Sequence, residues 1–345
     1  LKTFHVVEGC MQHFVRHLVA SLMVLSVTAC TLGEKHISSQ LNTLPSASAV
    51  NASAANTPTG STQLHNYTNS LSSALTMQVP RAAHSATLLP NGQVLIAGGF
   101  RTEGTSEIAI ADAELYDPAT NTFQAVSPMN EPRSGHTATL LASGDVLIVG
   151  GWGPQQRTAS AELYNLQEQS FRAIGSLTAP RASMTATLLP DGRVVVIGGE
   201  SARNTPQLIV EVYDPATQAF TTGGKLSVGR SAHTATLLLD GTVLVAGGTA
   251  GNDRVLASAE LYNPRTGTFT PTGSMHQIRY KHAAVALPTG RVLLIGGSDQ
   301  NDWTGKYAST EEYDPESGTF AQAASLAHER FKLPDGVVLL TNGDV

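Results

Sequence analysis

Six arginines stand at near-even intervals along the chain, Arg81, Arg133, Arg181, Arg230, Arg279 and Arg330, successive ones 48 to 52 residues apart. Three residues after most of them comes a histidine, His84, His136, His233 or His282, with Met184 taking that place once. Each of the first five arginines is matched by one glutamate two residues before a tyrosine: Glu114, Glu162, Glu211, Glu260 and Glu311. A row of guanidinium groups about an axis could hold an anion, and a row of imidazoles could ligate a metal. The one-to-one count points to structure instead. An arginine buried without its carboxylate is very costly, so a partner supplied in strict equal number predicts buried ion pairs that hold the repeats together. A metal site needs a few convergent ligands, which a histidine row interrupted by Met184 does not supply, so neither metal nor cofactor is expected. No acid–base pair stands out from the repeating background.

Residues that occur in one copy only are free to recognise something. They collect in one connection per repeat: Phe100, Arg101 and Glu103, then Trp152, Gln155, Gln156 and Arg157, and finally Asp299, Gln300, Asn301, Asp302, Trp303, Lys306 and Tyr307. Both tryptophans of the chain are among them. Aromatic rings beside amides and charges suit sugars, whose apolar faces stack while their hydroxyls need donors and acceptors. The candidate ligand-binding residues are therefore Arg101, Trp152, Gln155, Arg157, Asp302, Trp303, Lys306 and Tyr307, and the expected ligand is a glycan or a protein or peptide segment.

The elements that position these residues follow from spacing. Five copies open at PRAAHSATLLPNGQVLIAGG, PRSGHTATLLASGDVLIVGG, PRASMTATLLPDGRVVVIGG, GRSAHTATLLLDGTVLVAGG and IRYKHAAVALPTGRVLLIGG. Each closes on a block such as AELYDPATNTF. Arginine to the first glycine of the pair is always 17 residues, tyrosine to phenylalanine 7, and phenylalanine to the next arginine 10. All length variation lies between the glycine pair and the tyrosine, so three turns per repeat are held in register and one loop is not. Strands are predicted around HSATLL, at the apolar run QVLIAGG, at AELY and around Phe123, with a tight turn at Asn91-Gly92 and another begun by Asp117-Pro118. Each repeat is a four-stranded meander, and radial stacking of such sheets removes most exposed edges.

In these motifs the chain resembles the kelch family. The paired glycines Gly98-Gly99, Gly150-Gly151, Gly198-Gly199, Gly247-Gly248 and Gly296-Gly297 end the second strands, a tyrosine stands in the third and an aromatic in the fourth. The usual kelch tryptophan is replaced by Phe123, Phe171, Phe220, Phe269 and Phe320. The resemblance implies an all-β kelch-type propeller over residues 70–345, with five complete blades and an incomplete sixth. The last copy begins at Arg330 and reaches a glycine, Gly336, after 6 residues where others take 11, so the C-terminus reads as truncated. A lone strand near Leu71 is expected to close the ring. The resemblance also implies two enzyme classes to weigh. Galactose oxidase uses a copper site with a tyrosine crosslinked to cysteine, and this chain has no cysteine after Cys30. A sugar isomerase similar to the sialic-acid mutarotases is the alternative to a binding or scaffold module.

Composition and the N-terminal segment bound the rest. Charged residues make up 14% of 345, with 32 glycines and 17 prolines, as expected of a turn-rich globular chain. The net charge of −6 argues against a nucleic-acid partner. Residues 1–30 read as a signal peptide, of which 1–10 fit neither signal nor fold and translation is expected to begin at Met11. Its apolar run from Leu18 to Ala29 is shorter than the roughly 20 residues of a spanning helix. Val27-Thr28-Ala29-Cys30 resembles a bacterial lipobox, which implies lipidation of Cys30. Residues 31–69, rich in Ser, Thr, Asn and Ala, form a flexible tether. The expectation is a monomer exported across the inner membrane and lipid-anchored at the bacterial cell envelope, or periplasmic or extracellular if not lipidated.

Overall fold

The computed structural model describes residues 76–201, 205–301, 304–332, 337–340 and 345, together with the backbone of two paired two-residue strands, Leu18–Val19 and Leu22–Met23. Cys30, the tether and the strand expected near Leu71 lie outside the described residues.

Five four-stranded antiparallel sheets follow one another along the chain: blade 1 (85–126), blade 2 (137–173), blade 3 (182–225), blade 4 (234–271) and blade 5 (283–323). In every blade the strands lie side by side in sequence order, as a meander requires. First strands of successive blades approach one another throughout, which sets them at the axis. In blade 2 these strands are Thr137–Leu140, Val146–Val149, Ala161–Asn165 and Ser170–Ala173. Among the described residues, blade 1 alone carries an added hairpin in its variable loop, Phe100–Glu103 paired with Ser106–Ala109.

The core lies between blades, and the pleat explains how. Successive side chains of a strand point to opposite faces. Val146 and Ile148 pack back on Leu95, Ala97 and Leu115 of blade 1, whereas Leu147 and Val149 pack forward on Val194 and Val196 of blade 3. The same alternation joins blade 3 to blade 4 and blade 4 to blade 5. A second strand with polar residues on either face could not serve, which is why these runs are continuously apolar. Tyrosine and phenylalanine sit directly opposite each other on the third and fourth strands, their ring centroids 4.8–5.2 Å apart in all five blades.

The glycine pair is dictated by close approach. A Cβ on Gly98 would come 2.5 Å from the Arg133 carbonyl oxygen of the incoming chain, and one on Gly99 would come 2.5 Å from the Ala82 carbonyl oxygen of its own blade. Both glycines also have positive φ, 62° and 102°. The turn between the first two strands differs from a two-residue hairpin. Leu89 donates to the Gln93 carbonyl and only Gly92, not Asn91, has positive φ, so three residues make the loop.

Beyond blade 5, Gly297 donates its N–H to the Arg330 carbonyl and Tyr307 forms a bridge with Arg330. Gly99 makes the same bond to Arg133 and Gly151 to Arg181. The segment from Arg330 to Lys332 thus takes the position in which a sixth blade begins. Among the described residues no strand of that blade forms.

Candidate functional site at the axial mouth

The repeated arginines enter as each chain segment crosses from one blade to the next. Met129 donates to the Ala111 carbonyl and Arg133 to the Ile110 carbonyl, which keeps the segment on blade 1. The Arg133 side chain and the N–H groups of Asn130 and Glu131 turn instead to blade 2. Arg133 donates from Nη1 to the Gly150 and Ser160 carbonyls and from Nη2 to Glu162 at 2.8 Å, and Glu162 accepts further bonds from the N–H groups of Asn130 and Glu131. Equivalent pairs are Arg81–Glu114, Arg181–Glu211, Arg230–Glu260 and Arg279–Glu311, at 2.5–2.8 Å. All ten side chains are buried. Burial pulls the Arg133 guanidinium below its ordinary value, with Glu162 pulling the other way. These charges are committed to buried ion pairs that fix each crossing segment to the blade it enters.

The histidines form a second inter-blade series. His136 Nε2 shares a 2.9 Å hydrogen bond with Ser85 of blade 1, His233 a 3.1 Å bond with Thr185, and His282 a 2.9 Å bond with Thr234. Thr137 should have its partner at position 184, where a methionine stands, and the buried Thr137 hydroxyl has none. Burial, with the neighbouring arginine charge second, pushes His136 and His282 down to about 3 and His233 well below its usual value. They are neutral scaffold groups.

Inside the arginines lies an inner ring. The residue two places after each arginine, Ala83, Gly135, Ser183, Ala232, Lys281 or Lys332, has φ between 50° and 59°. Gly135 donates its N–H to the Ala83 carbonyl, Ala232 to Ser183, Lys281 to Ala232 and Lys332 to Lys281, at 2.8–2.9 Å. These head-to-tail bonds join blades 1 and 2, blades 3 to 5 and the segment after blade 5, at the end where the variable loops emerge. Trp152 leans over it: the loop of blade 2 pairs Trp152 with Ser134, and the indole lies against Gly135, where an added Cβ would meet Trp152 Cδ1 at 3.4 Å. Trp152 is 40% exposed. Opposite it in sequence order, the blade 5 sector brings Tyr280, Lys281, Lys306, Phe331 and Lys332 together.

The loop residues named from sequence divide. Arg101 is exposed and paired at 2.7 Å with Glu103 on the blade 1 hairpin, and Gln155 is exposed. Arg157 corrects the expectation of a ligand contact. It is 4% exposed, pairs with Glu200 of blade 3 at 2.6 Å, and lays its guanidinium 3.7 Å from the Trp152 ring, so it supports the indole from beneath. Tyr307 lies half-buried with its ring 5.5 Å from the Arg279 guanidinium, and burial raises its phenol. Lys306 is half-buried beside Phe331. Asp302 and Trp303 lie outside the described residues. Tyr280, Lys281, Phe331 and Lys332 escaped the sequence reading, which sought single-copy residues only in loops of variable length. Comparing copies at the fixed positions after each arginine would have found them. A separate open recess of about 480 Å³, lined by Ala142, Leu188, Pro190, Asp191 and Leu237, lies at the turns between first and second strands, the other end of the axis.

The family model described as the kelch motif matches residues 230–276. No curated protein matches the chain in sequence. Among solved structures, that of YjhT is similar with a TM-score of 0.60 at 13% identity, over 71% of this chain and 84% of the other. A novel fungal alcohol oxidase with catalytic diversity among the AA5 family, in complex with copper, is similar with a TM-score of 0.60 at 16% identity. That match covers 73% of this chain and 55% of the oxidase, so this chain spans little more than half of the enzyme. At these identities the likeness is one of fold.

Proposed function

The chain is a kelch-motif β-propeller, and from that premise we propose that it is a binding module whose ligand, a glycan or a peptide, seats at the axial mouth against Trp152. The observation that carries this reading is the state of that indole. A large aromatic is 40% exposed while a buried guanidinium, itself fixed by Glu200, braces its inner face. A braced ring loses little rotamer freedom on binding, so more of its contact energy is expressed as affinity. Its outer face offers an apolar plane and its N–H a donor, the combination that suits a sugar ring or a peptide plane.

The copper oxidase's chemistry is not carried over to this chain. No cysteine follows Cys30, and among the described residues no three His, Cys, Asp or Glu side chains are gathered as a ligand set. A sugar isomerase would need an acid and a base at the mouth, whereas the repeated glutamates are bonded to arginines. Binding without turnover is the reading these commitments favour. The proposal includes display at a cell envelope through lipid on Cys30, supported by the apolar run and small residues that precede it.

Screening the mature protein against glycan and peptide arrays tests the reading. Trp152→Ala should weaken any ligand found by about tenfold, about 1.4 kcal/mol, with the melting temperature unchanged. Full affinity in that variant would remove Trp152 from the site, and a screen with no glycan or peptide ligand would defeat the proposal.

A further inference from the structure

The end of the propeller away from the mouth carries apolar surface that the repeat does not require. The turns between first and second strands have exposed tips at Pro90, Ala142, Pro190, Leu239 and Pro288. A Cβ on Gly144 would come 3.6 Å from Pro90 Cγ, one on Gly241 3.8 Å from Pro190 Cγ and one on Gly290 2.9 Å from Leu239 Cδ1, so these tips rest on the turn of the following blade. Leu239 is 85% exposed, the most exposed large apolar side chain among the described residues, and it stands where blades 1, 3 and 5 have proline. Beside its turn lies the recess of about 480 Å³, lined by Pro190 and Asp191 and by Leu188 and Leu237 from the ends of two first strands. A lone exposed leucine needs no explanation, but one joined to an open apolar recess marks a docking surface. The same end is acidic. The turns of blade 1 at residues 89–93 and 117–122, with their counterparts in the other blades, hold eight carboxylates against Arg193, Arg265 and Arg291, and no lysine or histidine. Two of those arginines are already paired, Arg193 with Asp191 at 2.7 Å and Arg291 with Asp314 at 3.4 Å. Turn chemistry does not demand the charge. Asp191 and Asp240 accept the N–H two residues on at 3.1 and 2.8 Å, and the uncharged Asn91 does the same at 3.0 Å.

We propose that this end docks a basic, amphipathic segment of a partner protein, which seats one bulky apolar side chain in the recess beside the Leu239 turn and sets its lysines or arginines against the carboxylates of Asp191 and Asp240. The site lies at the opposite end from Trp152 and is independent of the reading of the mouth. Apolar contact at the centre supplies affinity, while the charged surround steers a cationic segment and fixes its register. A second copy of this chain fits poorly, because two such ends would bring like charges together. Residues 31–69 of the chain fit no better, since they hold one lysine and no arginine.

Panning a random peptide library displayed on phage against the full chain at low salt tests this, with the affinities of the selected peptides read by fluorescence anisotropy. Two variants change the surface and keep the fold. Leu239→Pro gives residues 237–241 the LLPDG sequence of residues 188–192, and Asp191→Asn with Asp240→Asn repeats the turn that Asn91 makes. The selected peptides should carry lysine or arginine around an apolar residue and weaken as salt is added. Each variant should bind them at least about tenfold more weakly than wild type, and Trp152→Ala should bind them as wild type does. Full affinity in either variant overturns the site, as does a selection that yields only acidic or uncharged peptides, or none. Peptides lost in Trp152→Ala and kept by the other two variants belong to the mouth, which overturns this site and leaves the binding-module reading standing. Wild-type self-association in sedimentation that Leu239→Pro abolishes makes a second copy the occupant and overturns the partner segment.

Discussion

Arg133 satisfies the Gly150 and Ser160 carbonyls, the Ser160 hydroxyl and Glu162 at once, with a fully buried side chain. Removing it leaves Glu162 charged, buried and short of its counterion. Arg133→Ala should therefore cost roughly 3 kcal/mol or more, read as a lower urea midpoint, and a wild-type midpoint would refute the pairing role. Met184 teaches the opposite lesson. His136, His233 and His282 in its position each serve a hydroxyl on the preceding blade, and the one methionine leaves Thr137 without a partner. Met184→His should supply that bond and raise stability by about 1 kcal/mol, the net worth of one hydrogen bond. An unchanged or lower midpoint would show that the site cannot accept the ring.

At the scale of the strand, the histidines tie the folded state to pH. His136 and His282 are held down to about 3 by burial, and His233 is lowered in the same direction. Unfolded histidines take up protons below about 6.5. Between pH 3 and 6.5 the unfolded chain thus binds more protons than the folded one, so stability rises with pH through that window and is level above it. Each such histidine contributes up to about 1.4 kcal/mol per pH unit. Urea midpoints should fall clearly from pH 7.5 to pH 5, before most carboxylates titrate. Equal midpoints at those two values would mean that the rings are charged or exposed in solution. The second strands show why so much of the fold was legible. Their apolar residues alternate between two neighbouring blades, and a strand that must satisfy two cores shows as an unbroken apolar run.

At the scale of the whole molecule, five sheets share cores in sequence and leave their repeated charges inside, so the proposed recognition falls to whatever breaks the repeat at the mouth. In the proposed envelope display, presentation of that mouth depends on the N-terminal segment. Expressed in a bacterial host from Met11, the protein should incorporate a fatty-acid analogue and sediment with membranes, and Cys30→Ser should abolish both. Labelling that persists in Cys30→Ser would show that the cysteine is not the anchor.

Spacing along the chain was enough to determine the meander, the blade count up to Phe320, the Arg–Glu matching and the positions of the turns, because each is a local register that recurs five times and is read by comparison with itself. Only the tertiary structure decided what the exceptions do. Arg157 lies in a loop that looked open in sequence, yet it is buried because Glu200 arrives from the next blade. Lys281 and Lys332 are 51 residues apart in the chain and become neighbours only because consecutive blades hand their inner-ring N–H groups to one another. Periodicity reports what every blade shares. Where two departures from it meet depends on how the blades are arranged about an axis, which no single repeat encodes.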